Sequence, residues 1–175
     1  KKLLNDLSFK IMANSMTSII GATGSGKTTI IDILLGFYQP NSGNLMIDGI
    51  KLTNENRKNF NKYIGYVPQV VNLQENSISM NIALGMEKEH INIEWLNKII
   101  QILDLSDLVK SHPDGLNTNI GDRGIKLSGG QRQRLGIARA LYLNPKILVW
   151  DESTNELDSK TESKVLKSIQ KEFKS

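Results

Sequence analysis

Apolar residues near the start of the chain recur at alternate positions, with Leu7, Phe9 and Ile11 separated by Ser8 and Lys10 in "LLNDLSFKIM". This period of two predicts a strand, and "MTSIIG" predicts a second, buried strand that runs into a glycine-rich loop. A helix is expected from Lys27 to about Leu35, stopped by Gly36 and Pro40. "NLMIDGI" alternates Leu45 and Ile47 before an Asp48-Gly49 turn, and "KYIGYVPQ" supplies another strand ending at Pro68.

Between Ile91 and Val109 the spacing becomes helical, with Leu96, Ile99, Ile100 and Leu103 on one face and "HPDG" closing the segment. The middle of the chain therefore reads as a helical insert. "KILVW", after Asn144-Pro145, is a continuous apolar run, the signature of a strand buried on both faces of a parallel sheet. Ser159 and Glu162 form a capping-box pattern that starts a last helix through Val165, Leu166, Ile169 and Phe173.

At 175 residues the chain has the length of about one domain, and 39% hydrophobic with 23% charged residues is ordinary globular usage. No apolar run approaches the roughly 18 residues needed to span a bilayer. With no cysteine, disulfides and thiolate metal sites are excluded. The net charge of +4 raises nucleic acid as a partner. The lysines are scattered among acids and no aromatic-rich strand accompanies them, so a solvated basic surface is the expectation.

"GATGSGKTT" fits the phosphate-binding P-loop, with Gly21, Gly26, Lys27 and Thr28 in register between an expected strand and an expected helix. Glycines let backbone N–H groups wrap phosphates, and the helix N-terminus adds partial positive charge. Gly21, Thr23, Gly24, Ser25, Gly26, Lys27, Thr28 and Thr29 are thus the candidate nucleotide-binding residues. Lys27 is suited to the β- and γ-phosphates, and the Thr28 hydroxyl to Mg²⁺.

Asp151 and Glu152 end the "KILVW" strand, at the sheet edge where open α/β proteins bind ligands. Asp151 suits a Mg²⁺ ligand and Glu152 a general base; an acidic pair at a strand end also serves to cap a following helix. Gln69, just past Pro68, offers a carbonyl to Mg²⁺ or to the attacking water. A second glycine loop, Ser128 with Gly129 and Gly130, opens another helical run and suits either an anion or a plain helix cap.

"LSGGQ", Leu127 to Gln131, resembles the signature of ABC-type ATPases, and the P-loop, the Gln69 loop, "ILVWDE" and "STNELD" resemble that family's other motifs in the same order. The resemblance covers essentially the whole chain. It implies an α/β fold: a P-loop NTPase (RecA-like) core with a mainly parallel sheet, a small N-terminal β part and an inserted α-helical subdomain. The core is expected at residues 1–71 and 145–175, and the helical subdomain at residues 72–144.

The same resemblance makes Glu152, Gln69 and Lys27 catalytic, Thr28, Gln69 and Asp151 metal ligands, and Ser128, Gly129, Gly130 and Gln131 contacts to a second nucleotide. ATP and Mg²⁺ are the implied cofactors. Two such domains face each other head to tail, as a homodimer, with each ATP between one P-loop and the opposite signature loop. "YVPQVVNLQENSISMNIALG" and the X-loop, Thr118 to Gly124, look like exporter sequences that contact coupling helices of a transmembrane domain. The implied activity is ATP hydrolysis driving export of a lipid, glycolipid or other amphiphile, from the cytoplasmic face of the inner membrane.

A soluble ABC ATPase acting on nucleic acid or ribosomes is the alternative, and a compact insert with an X-loop argues against it. A regulatory module without turnover would be expected to lack Glu152. Asn155 and Glu156 stand where the family usually has small residues. The adenine-stacking aromatic is expected before Lys1 and the switch histidine beyond Ser175, since His90 and His112 lie in the insert.

Overall fold

A computed structural model describes residues 4–151 and 158–173. They fall into two compact units, one within residues 4–62 and the other within residues 63–151 and 158–173.

In the first unit, α1 (Lys27–Leu35) begins at Gly26 and ends at Gly36, both left-handed with φ of 97° and 87°. Such φ values are open to glycine and strained for other residues. A Cβ at Gly36 would also strike the Arg57 side chain, whose Nη1 donates to the Gly36 carbonyl at 2.9 Å. The Asp48-Gly49 turn closes a hairpin, pairing β1 (Met46–Ile47) antiparallel with β2 (Ile50–Lys51). Both turn residues have positive φ, as the twist of a two-residue hairpin demands. Then α2 (Asn54–Asn61) starts at a reciprocal cap, in which Thr53 Oγ1 accepts from Asn56 N–H and Asn56 Oδ1 accepts from Thr53 N–H.

The two strands expected ahead of Gly21 are not formed among the described residues. Leu7, Phe9 and Ile11 are about half exposed and Ile20 is 92% exposed. Alternation prepares a strand face, but a strand exists only where a neighbour completes its ladder, and none among the described residues pairs with this segment.

In the second unit, β3 (Ile64–Val67) is followed by α3 (Ile78–Ile82), α4 (Ile93–Ile102), α5 (Ser106–Lys110), α6 (Gly129–Tyr142), β4 (Ile147–Trp150) and α7 (Ser159–Phe173). The core gathers Val67, Ile78, Ile82, Leu96, Leu135 and Leu141 around α6, which packs on α3, α4 and β3. The Ile91–Val109 segment divides into α4 and α5 because Asp104 adopts a left-handed conformation at φ 56°. That break lets Leu103 and Leu105 both be fully buried.

β3 and β4 pair in parallel, Ile64 with Ile147 through Val67 with Trp150. Gly65 is required there: a Cβ would lie 2.9 Å from both the Ala140 carbonyl and Pro145 Cγ. The expectation that "KILVW" is buried on both faces is corrected, because Ile147 is 37% exposed and Leu148, Val149 and Trp150 are only partly covered. β3 is the one partner of β4 among the described residues, so one flank lacks cover.

The cap of α7 is also one residue earlier than expected. Asp158 Oδ1 accepts from the N–H groups of Lys160 and Thr161 at 3.1 and 3.0 Å, so Ser159 is the first helical residue.

Candidate functional site

The glycine loop before α1 folds back through a Ser25 N–H bond to the Ala22 carbonyl at 3.1 Å. Gly21 is packed under it, since a Cβ there would lie 2.6 Å from Ser25 Oγ, and Gly24 turns the chain at φ 78°. Gly26 makes no side-chain cap to α1, and the first turn of α1 contains no acidic residue. Its leading N–H groups therefore have no side-chain acceptor supplied by the cap, the condition under which a helix start attracts an anion. Lys27 Nζ donates to the Gly21 and Ala22 carbonyls at 2.8 and 3.2 Å, holding an ammonium over the loop by two neutral acceptors. Thr23, Gly24, Ser25 and Thr28 are exposed, and Thr29 is half-buried. Glycine-freed amides, a cation and hydroxyls at an uncapped helix start form a donor set that fits a polyphosphate.

In the second unit, the register that pairs Val67 with Trp150 brings the C-terminal ends of β3 and β4 together. The Asp151 N–H donates to the Val67 carbonyl at 3.0 Å, extending the ladder one residue and fixing a buried, 9% exposed side chain at the sheet end. Gln69 leaves the neighbouring strand two residues after Val67 and is exposed. A buried acid and an exposed amide thus share one edge, both with oxygen atoms suited to a hard cation. Among the described residues no cluster of three or more acidic, histidine or cysteine side chains could hold a metal unaided. This donor set fits Mg²⁺, which keeps waters and substrate phosphates among its ligands. Glu152, Asn155 and Glu156 lie outside the described residues.

The second glycine loop opens α6. Ser128 Oγ accepts from the Gln131 N–H at 3.2 Å and Gln131 Oε1 accepts from the Ser128 N–H at 2.8 Å, a complete capping box. Gly129 and Gly130 form the first turn with no side chain to cover their amides, and that turn carries no acid. The X-loop leads into it: Thr118 to Ile120 lie along Asn76 to Ile78, with Ile120 N–H donating to the Asn76 carbonyl and Ile78 N–H to the Thr118 carbonyl, both at 3.1 Å. Gly121 and Gly124 turn the loop with φ of 76° and 71°.

Two polar residues passed over in the sequence organise the neighbourhood of Gln69. Asn81 is fully buried; its Nδ2 donates to the Gln74 and Ser77 carbonyls at 3.0 Å, and its Oδ1 accepts from the Gln74 N–H at 2.8 Å. From α6, Arg139 Nε donates to the Asn81 carbonyl and Nη1 to the Asn72 carbonyl, both at 2.9 Å. Burial pushes the Arg139 guanidinium below its ordinary pKa. Asn81 within the short helix α3 and Arg139 within the apolar second half of α6 were the available signal.

The ABC transporter family model matches residues 4–155 of this chain. The chain is 42% identical over 173 residues to a multidrug resistance ABC transporter ATP-binding and permease protein of Lactococcus lactis, covering 97% of this chain and 28% of that protein. It is 40% identical to a putative export ATP-binding/permease protein of Rickettsia typhi, covering 99% of this chain and 30% of that one. Among solved structures, a bacterial Atm1-family ABC exporter with ATP bound matches 99% of the chain at a TM-score of 0.89 and 36% identity, over 30% of its own chain. The chain thus spans less than a third of the length of these relatives.

Proposed function

The chain belongs to the ABC transporter family, whose ATP-binding domains hydrolyse ATP to drive transport, and we propose that it powers an exporter of a lipid, glycolipid or other amphiphile. The observation that carries this reading is the pair of glycine-opened helix starts at α1 and α6, each without an acid in its first turn. One phosphate chain needs one such cradle, so two in one chain support nucleotides shared between two domains.

In this reading the amides of Gly21 and of Thr23 through Thr29 hold the β- and γ-phosphates, and Lys27 Nζ exchanges its two carbonyl acceptors for phosphate oxygens, a charge-assisted and stronger bond. The oxygen donors that would serve Mg²⁺ are Thr28 Oγ1 in the first unit and, in the second, the Gln69 carbonyl and the Asp151 carboxylate, Asp151 largely through water. Mg²⁺ held by these donors would supply positive charge to offset that developing on the phosphates. Glu152 takes a proton from the attacking water at its carboxylate, and Gln69 orients that water. Ser128, Gly129, Gly130 and Gln131 present the amides and side chains of α6 to the nucleotide of a second, identical domain arranged head to tail.

The segment following Gln69 and the X-loop face coupling helices of a membrane domain, which sets the chain at the cytoplasmic face of a membrane. The permease halves named in both relatives support an exporter over a nucleic-acid-directed ATPase. No helix among the described residues is long and apolar enough to cross a membrane itself.

The test is Glu152→Gln in the full-length protein, with phosphate release and ATP affinity measured together. Loss of a general base lowers turnover by roughly a hundredfold or more while Mg-ATP binding persists. Near-normal turnover rejects Glu152 as the base.

A further inference from the structure

The chain between Gln69 and α3 has little secondary structure of its own, yet residues 71, 72, 74 and 77 are each held by α3 or α6. Asn81 binds Gln74 through both backbone groups and Ser77 through its carbonyl. Arg139 reaches from α6 to the Asn72 and Asn81 carbonyls. One turn earlier on α6, Gly136 leaves room for Val71, which a Cβ would strike. The bond to the Asn72 carbonyl and the contact with Val71 come from α6, the bonds to Gln74 and Ser77 come from Asn81 on α3, and Arg139 ties Asn81 itself to α6. Arg139 is eleven residues on from Ser128, roughly 16 Å along a rigid helix at 1.5 Å per residue.

We infer that Arg139 and Asn81 are a positioning pair, which locks residues 71–77 to α6 so that Gln69 and the Ser128 loop are held in fixed register. This deepens the proposed function and rests on it. Neither residue touches nucleotide in that reading. Their loss leaves the P-loop intact and misplaces Gln69, so the chemical step suffers while ATP binding does not.

The experiment uses the full-length protein and compares wild type with Arg139→Ala, Arg139→Lys and Asn81→Asp. ATPase kcat and KM are measured together with amide hydrogen exchange over residues 70–78. Asp at 81 keeps an acceptor for Arg139 and Gln74 N–H but loses the donors to Gln74 and Ser77. The expected result for Arg139→Ala and Asn81→Asp is exchange at least tenfold faster over residues 72–77, kcat at least fivefold lower, and KM for ATP within twofold of wild type. Arg139→Lys, able to keep one of two carbonyl bonds, is expected to fall between.

Unchanged exchange, a kcat within twofold of wild type, or a KM that rises in step with the fall in kcat each overturns the inference. If Arg139→Ala does not fold, Asn81→Asp and Arg139→Lys decide on the same criteria. A wild-type protein that hydrolyses no ATP defeats the proposed function instead, and the exchange measurement alone then decides whether the pair anchors the segment.

Discussion

Gly136 on the helix that starts at Ser128 sits against Val71, two residues past Gln69, so closely that a Cβ on the glycine would lie within 2.8 Å of Val71 Cγ1 and 3.2 Å of its Cβ. Val71 is β-branched and stiff at χ1, so it cannot swing aside. The glycine is there for contact.

Gly136→Ala should therefore destabilise the protein, although alanine is the better helix former by about 1 kcal/mol. Overpacking costs typically 1–3 kcal/mol and is expected to win by about 1 kcal/mol. Thermal unfolding of Gly136→Ala and of Gly136→Ala with Val71→Ala checks this: the single variant should melt below wild type, and the double should regain part of the loss. A single variant that melts higher contradicts the packing account.

Asp151→Asn keeps the side-chain volume and the backbone bond to Val67 but removes the charge. Apparent Mg²⁺ affinity in ATP hydrolysis is expected to fall roughly 10–100-fold, the usual effect of disturbing a metal's protein partners. Titrating Mg²⁺ at saturating ATP measures it. An unchanged Mg²⁺ dependence removes Asp151 from the metal site.

Much of this was legible in the sequence because it rests on local rules. The glycine positions fix both ends of α1, the Asp48-Gly49 pair fixes the hairpin, and Ser128 with Gln131 writes the capping box of α6. What escaped depends on partners distant in the chain. The alternation of Leu7, Phe9 and Ile11 does not say whether a neighbouring strand completes the ladder, and "KILVW" does not say how much of it is covered. Asn81 and Arg139 are 58 residues apart, and no local pattern announces that one side chain will hold the other's backbone. Ser159 and Asp158 can each cap a helix by composition, and only the hydrogen bonds choose Asp158.

The cap of α7 carries a pH dependence. Hydrogen bonds from the Thr161 side chain and backbone hold the Asp158 carboxyl below its ordinary pKa. A depressed folded-state pKa means that the contribution is present above the unfolded value of about 3.9 and is lost as pH falls through the lower, folded value. Exchange over residues 159–165 should accelerate in Asp158→Ala and stay nearer wild type in Asp158→Asn, which remains a good cap. The difference between wild type and Asp158→Ala should shrink as the pH is taken below about 4. An Asp158→Ala protein with wild-type exchange at neutral pH contradicts the assignment.

In the proposed function the P-loop and the signature loop of one chain serve different nucleotides, each completed by a second copy. The most direct measurement introduces Ser25→Cys beside the P-loop and Gly130→Cys in the signature loop, in a chain that has no cysteine of its own. With Glu152→Gln in the same full-length protein, other cysteines removed, oxidation is followed with and without Mg-ATP. The account predicts a crosslink between two chains that forms preferentially when ATP is bound. Crosslinks confined to single chains would mean that both loops share one nucleotide, and the claim would fail.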